Sequence, residues 1–416
     1  MSPLTSIRDT KREFMSTQNK LSKRVIAALA ARRDEAQWEK LIVGLLHKLE
    51  LPREKRLKAI EKYEKLGRHI ARKLGVGEAD VHMLVQGSMA TQTTVAGYGP
   101  QKFDLDVIVK LSSPRFTNLR ESEQFFADFG KALEGADPDA GEPDEKNRCW
   151  RLQYPGFAFY FDVTPAIPLS LGITGTDLRV RDKVHVWSPS NPQDLIAWFC
   201  AIADKRFEFQ KMVLLKAAMD HAQIDPVPDT PVAIDDILRR IVQLLKVHRD
   251  SYFRGMPKEI RDAMPISVIL VTLAAKAYDY LVTHEKRSFS SAIEVALEVA
   301  DRLPEFIERG KGYAEVPNPK LPFENFADKW RTDGGLRERQ FKAWHARLIA
   351  DLDALFSDEV SRADETKIRN IFGQAGVDAW KASQPRPEGV FGGLLLNPSA
   401  GNPTRPASTG SRNTAG

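Results

Sequence analysis

The sequence predicts an α+β protein, with a small mixed sheet in its first half and a helical lobe filling its second. Two observations carry this. Three short apolar runs with strand-like patterning cluster between residues 81 and 163, and from Pro192 onward apolar residues recur at helical spacing almost throughout. At 416 residues the chain is long enough for two or three such parts, with a sizeable buried core.

Residues from about 20 to 75 read as helices, interrupted where Leu51 precedes Pro52 and must leave the α region. The basic stretches "KRVIAALAARR" and "PREKRLKAIEKYEK" mix charge with apolar positions at helical spacing, and Tyr63 is the one aromatic residue among them, without the interleaved aromatics that base stacking would need. They read as solvated helix faces. A turn, "LGVGEAD", leads to the strand-like runs "VHMLVQ" (81–86), "FDLDVIVKL" (103–111) and "FAFYFDV" (157–163). Between the second and third lie a helical stretch near 118–135 and an acidic loop, "GADPDAGEPDEKN". Helical segments such as "IDDILRRIVQLLKVHRDSYF" and "PISVILVTLAAKAYDYLV" build the lobe, and from about Pro385 a Gly, Pro, Ser, Thr and Asn-rich tail is too poor in apolar residues to fold. The expected division is 1–75 for N-terminal helices packing on both lobes, 76–190 for the sheet-bearing core, 191–384 for the helical lobe and 385–416 for a flexible tail.

Composition narrows the class. Hydrophobic content of 42% and charged content of 28%, with a mean hydropathy of -0.36, are those of a soluble globular chain. No apolar run approaches the roughly 20 residues of a membrane span, and the first residues lack the apolar segment of a secretory signal. Cys149 and Cys200 are too few for a disulfide framework and have no Cys/His cluster around them for zinc, so a reducing cytoplasm is the expected location. A net charge of +5 and a pI near 9.0 permit attraction to polyanions such as nucleotides without requiring it.

The chemistry lies in the carboxylates. A bare Asp-x-Asp is weak, since roughly one is expected by chance in a chain of this size. Two others occur here: Asp137 with Asp139 in the acidic loop, and Asp351 with Asp353 on a helix, where positions two apart diverge by about 200°. Asp104 and Asp106 differ because their segment is strand-like, so both point to one face while Phe103, Leu105 and Val107 anchor the other. Asp162 shares a face with Tyr160 and Thr164, opposite Phe157, Phe159 and Phe161. If the two strands are neighbours, three carboxylates converge, and Mg²⁺ is their natural compensator. Taken singly, each aspartate reads as a strand-end residue paired with a nearby Lys or Arg. Ahead of them Gly87 admits close approach of an anion, and Ser88 opens a turn whose N–H groups suit phosphate. The loop "MATQTTVAGYGPQK" that follows is the place to look for substrate contacts.

The order "QGS", "FDLDV", "FDVTP" resembles the nucleotidyltransferases of the DNA polymerase β-like superfamily. "WSPSNPQDLIAWF", "LRRIVQLLKVHRD" and "NPKLPFENFADKW" resemble more narrowly the cyclic GMP-AMP synthase/DncV-like enzymes, the CD-NTases of bacterial CBASS antiphage defence. The resemblance implies a polymerase β-like nucleotidyltransferase core plus a C-terminal helical lobe, and a synthase joining nucleoside triphosphates, ATP or others, into a cyclic di- or trinucleotide messenger with release of pyrophosphate. It implies that Asp104, Asp106 and Asp162 are catalytic and bind two Mg²⁺, with Mn²⁺ as a substitute. It further implies that Gly87 and Ser88 hold the donor triphosphate, joined by Lys246 of "QLLKVHRD", Ser267 of "PISVIL" and, beside the Gly-Ser pair, Gln86. From the residues alone Lys246 reads as part of a solvated helix face. No Cys/His set supplies the zinc ribbon of animal relatives activated by double-stranded DNA, so that route is not expected. Some CBASS operons encode ubiquitin-transfer-like enzymes, and Gly416 on its small-residue tail is a candidate for their conjugation chemistry. Two other activities fit the same residues: a transferase that extends RNA or a small acceptor, and a nucleotide-binding regulator without turnover.

Overall fold

The computed structural model describes residues 25–30, 34–95, 102–117, 121–169, 176–182, 186–209, 236–285, 287–310, 312–359 and 362–383. The described residues up to Ala382 gather into one compact unit. The tail expected from residue 385, Gly416 included, lies outside the described residues.

Helices α1 (Glu35–Lys48) and α2 (Arg53–Leu74) are separated at Leu51 and Pro52, the proline standing at the N-cap of α2 in an extended conformation that cannot continue a helix. Gly75 in the left-handed region ends α2. The chain then enters a seven-stranded mixed sheet ordered β1-β2-β5-β4-β3, with β6 joined to β5 and β7 to β6. Strands β1 (Val81–Val85) and β2 (Phe103–Leu111) are antiparallel, and β2 and β5 (Phe159–Pro168) are parallel. Between them, α3 (Ser122–Leu133) supplies the crossover that a parallel pair requires.

The strand expected at 157–163 starts two residues later and runs on to Pro168, because its far end also pairs with β6. Four further strands go beyond the sequence expectation: β3 (Asp144–Glu145), β4 (Trp150–Gln153), β6 (Leu178–Asp182) and β7 (Val186–Ser190). Each is short and carries charge or proline, so pairing with its neighbours, ultimately β5, organises it rather than its own apolar pattern. Phe125, Phe129 and Leu133 of α3 pack with Phe103, Leu105 and Phe161 in one core. The opposite face of β2 and β5 carries Asp104, Asp106, Tyr160 and Asp162 at one end, and further along Ile108 and Ala166 pack with Leu178 and Val180.

The second half comprises α4 (Pro192–Ala203), α5 (Ile237–Phe253), α6 (Ser267–His284), α7 (Ala292–Arg302), α8 (Leu336–Phe356) and α9 (Glu365–Ser383, broken at Gly373). Asn191 caps α4 by accepting from the Asp194 amide at 3.0 Å, with Pro192 opening its first turn. A small hairpin, β8 (Pro317–Asn318) and β9 (Leu321–Asn325), interrupts the helical run. Trp38 and Leu45 of α1 join the core of these helices, whereas Leu66 and Ile70 of α2 join the core beneath the sheet. Among the described residues no helix is long and apolar enough to cross a membrane.

Candidate active site

The parallel register of β2 and β5 sets Asp104 opposite Tyr160 and Asp106 opposite Asp162. Ligand atoms of Asp104, Asp106 and Asp162 all lie within 4.8 Å of one another, the one such acidic group among the described residues. Leu105, Val107, Phe159 and Phe161 are buried on the other face, so the carboxylates stand on a rigid platform.

Confinement raises the proton affinity of Asp104 and Asp106. Burial, then the charges of Asp106 and Asp162, pushes the Asp104 carboxyl up to about 8. Asp104 keeps an open edge to solvent although protein atoms crowd its carboxyl; the direction is upward in either setting, because neighbouring carboxylates oppose ionisation. Burial and the Asp162 charge push Asp106 up to about 6.

Each of the other Asp-x-Asp pairs is answered by cations. Lys62 reaches both Asp137, at 2.9 Å, and Asp139, at 2.6 Å. Asp351 accepts from His248 at 3.2 Å and from Arg347 at 2.7 Å. Among the described residues the Asp104 group has one hydrogen-bonded cation: Arg151 of β4, directly opposite Asp162 in the sheet, donates to both its oxygens at 2.7 Å and lies 4.0 Å from the Tyr160 ring centre. One guanidinium against three carboxylates leaves the cluster net negative. Hard oxygen donors at this spacing fit a divalent cation. Cys149, whose thiol is pushed up by burial and then by the charge of Asp162, stays protonated and adds no soft ligand.

The Gly-Ser pair lies against the same carboxylates. Gly87 has φ +63°, and a Cβ there would stand 2.0 Å from Asp106 Oδ2. Gln86 donates its backbone N–H to the Asp106 carbonyl at 3.0 Å. Ser88 Oγ accepts from Thr94 at 3.3 Å, and the Thr93 amide donates to the Ser88 carbonyl at 2.8 Å. Of the loop flagged for substrate contacts, residues 96–101 lie outside the described residues.

Lys246 is not on a solvated face. Its side chain is buried, and Nζ donates to the Thr93 hydroxyl at 2.8 Å and to its carbonyl at 3.2 Å. Burial and the neighbouring Arg249 charge bring its pKa down to about 7, against the pull of Asp106 and Asp104. Ser267 opens α6 and accepts from Arg249 Nη1 at 3.0 Å. Arg151, Thr93 and Arg249 are site neighbours that sequence reasoning missed. Recognising "WRLQ" as a strand beside β5 is the signal that would have found the first.

Three carboxylates converging on a parallel strand pair, with a Gly-Ser turn against them, are the arrangement that the resemblance to polymerase β-like nucleotidyltransferases implies. Residues 81–165 match the family model described as cyclic GMP-AMP synthase DncV-like, nucleotidyltransferase domain. The chain is 28% identical over 256 residues to a c-di-GMP synthase of Roseivirga ehrenbergii, covering 61% of this chain and 62% of that protein, less than two thirds of its length. It is 25% identical over 354 residues to the cyclic dinucleotide synthase CdnG of Bradyrhizobium diazoefficiens, covering 81% and 80%. The structure of B. diazoefficiens CdnG in complex with GTP superposes with a TM-score of 0.61 at 23% identity, over 82% of this chain and 97% of that one. Escherichia coli CdnC with ATP gives 0.54 at 15%, over 81% and 98%, a likeness of fold. The chain is thus similar to the CD-NTases, and the stretch 81–165 carries the match to their nucleotidyltransferase domain.

Proposed function

We propose that the chain is a divalent-metal-dependent synthase that joins nucleoside triphosphates into a cyclic oligonucleotide and releases pyrophosphate. The observation that carries this is the convergence of Asp104, Asp106 and Asp162 within 4.8 Å, beside the Gly-Ser turn of a DncV-like domain. The names of both curated relatives favour a cyclic dinucleotide, and GTP is the first donor to try.

Asp104 and Asp106, on one strand face, would together hold two Mg²⁺, and Asp162 on the adjacent strand would complete the ligand set on the side of the attacking ribose hydroxyl. Bound there, the cations would supply acidification of that hydroxyl and neutralisation of the leaving pyrophosphate. The Gly87 and Ser88 amides and the Ser88 hydroxyl would hold the donor triphosphate, with Lys246 and, through Arg249, Ser267 adding positive charge from the helical lobe. Gln86 would shape the same pocket by fixing the start of the turn to Asp106. The buried apolar face of β2 and β5 keeps this geometry from relaxing.

The test is incubation of purified protein with each radiolabelled NTP, and with all four, in Mg²⁺ or Mn²⁺. A phosphatase-resistant product of cyclic dinucleotide mass is expected without any acceptor. The Asp104→Ala, Asp106→Ala double variant should lose pyrophosphate release by a factor of at least about 1,000 while staying folded. An absolute requirement for RNA or a small acceptor would replace this proposal with the transferase alternative.

A further inference from the structure

Three side chains on one face of α5 donate hydrogen bonds to the turn that follows the Gly-Ser pair. Arg239, Gln243 and Lys246 stand at i, i+4 and i+7, within one helical stripe. Arg239 Nε reaches the Thr91 carbonyl at 3.2 Å, Gln243 Nε2 the Thr94 carbonyl at 3.3 Å, and Lys246 Nζ the Thr93 carbonyl at 3.2 Å. The turn in its own right is bonded back to the pair: Thr91 Oγ1 donates to the Gly87 carbonyl at 3.0 Å and Thr94 Oγ1 to Ser88 Oγ at 3.3 Å.

Gln243 differs from its two companions. It is uncharged and only 1% exposed, and both donor positions and one of the two acceptor positions of its amide are engaged. Nε2 donates to Glu50 Oε1 at 3.0 Å as well as to Thr94, and Oε1 accepts from Arg240 Nη1 at 3.0 Å. Arg240 also bonds Glu50, which lies just past the end of α1. Only a primary amide donates twice and accepts from the same planar group, so neither Glu nor Met of similar length can replace it.

We propose that Gln243 is a positioning residue for donor nucleotide binding, tying the 91–94 turn, and through it Ser88, to the junction of α1 and α5. The inference rests on the reading of Gly87 and Ser88 as the triphosphate turn. Lys246 is shared between two tasks, because a phosphate that draws its ammonium away from Thr93 removes one of the three tethers. Arg239 holds the turn's first residue, Thr91, whose hydroxyl bonds the Gly87 carbonyl rather than Ser88 Oγ. Gln243 is the tether at the end where Thr94 meets Ser88, and it carries no charge that an arriving triphosphate would attract.

The experiment measures steady-state kinetics and binding of a non-hydrolysable NTP analogue for Gln243→Met and Gln243→Glu, below their unfolding midpoints. Gln243→Met should raise KM and the analogue Kd about tenfold, the value of a lost buried hydrogen bond, with kcat changed less than about threefold. Gln243→Glu should be worse, since its carboxylate faces both Glu50 and the Thr94 carbonyl; adding Glu50→Gln restores a donor across the first contact and should recover stability, while KM and Kd stay raised because Thr94 still has no donor. Unchanged KM and Kd, or a fall in kcat that only follows a loss of folded protein, would overturn the inference. If Gln243→Met does not fold, the Gln243→Glu, Glu50→Gln double variant decides: a folded protein with raised KM and Kd is expected, and wild-type values overturn the inference. The Asp104→Ala, Asp106→Ala variant runs alongside: its retention of turnover would sink the site reading, whereas its loss together with a normal KM in Gln243→Met sinks only the role of Gln243.

Discussion

Gly87 is the residue at which backbone, phosphate turn and carboxylates meet most closely. Its φ of +63° is costly for any other residue, and a Cβ there would overlap the Asp106 carboxylate at 2.0 Å. Gly87→Ala should cost about 1–2 kcal/mol in denaturant melts from the strained φ alone. It should also push Asp106 out of line, weakening Mn²⁺ binding by at least about tenfold in an EPR titration. Wild-type Mn²⁺ affinity would show that the turn and the carboxylate are independent. At this scale the aspartates are legible in sequence, because strand alternation alone assigns Asp104 and Asp106 to one face. Arg151 is not, because its contact with Asp162 depends on which strand lies beside β5, and a cross-strand register leaves no periodic trace in either segment. Lys246 reads as solvated because a lone Lys on a helix usually is; its burial follows from the turn packed over it.

Among the elements, those with their own strong pattern are legible: β2 matches its apolar run from Phe103 to Leu111, and α1 and α2 break where Pro52 dictates. Strands such as "WRLQ" and "LRVRD" are held by their partners, so local composition does not announce them. The same logic of borrowed stability applies to α1, whose Trp38 is fully buried and meets Phe356 of α8 edge to face at 5.4 Å. Its indole N–H is buried with no hydrogen-bond partner among the described residues, so the residue contributes through volume rather than polarity. Trp38→Ala should therefore cost about 3–5 kcal/mol, whereas Trp38→Phe, which removes the unpaired N–H and keeps an aromatic body, should cost clearly less. Urea denaturation followed by circular dichroism measures both. Equal losses would mean that the N–H has a role that the packing does not explain.

For the molecule as a whole, the net charge of +5 hides a local excess of negative charge between the sheet and the helical lobe. Its thermodynamic signature is a pH dependence. Asp104 and Asp106 have folded pKa values of about 8 and about 6, both above the ordinary 3.8, so across that interval the metal-free folded chain binds more protons than the unfolded one. Stability from these two groups is fully present below 3.8 and is lost as pH rises through about 6 and then about 8. Lys246, lowered to about 7 from 10.5, acts with the opposite sign: above 7 the unfolded chain binds the extra proton, and stability from that group rises with pH. The carboxylate loss therefore dominates from pH 4 to 7 and is partly offset beyond it. A divalent cation competes with protons for the same oxygens, so its stabilisation should grow across the interval in which they would otherwise leave unaided. The Mn²⁺-induced rise in Tm is expected to be small at pH 5 and several-fold larger at pH 8, and to vanish at both in the Asp104→Ala, Asp106→Ala variant. A rise independent of pH, or one that survives that double substitution, would place the cation elsewhere on the chain.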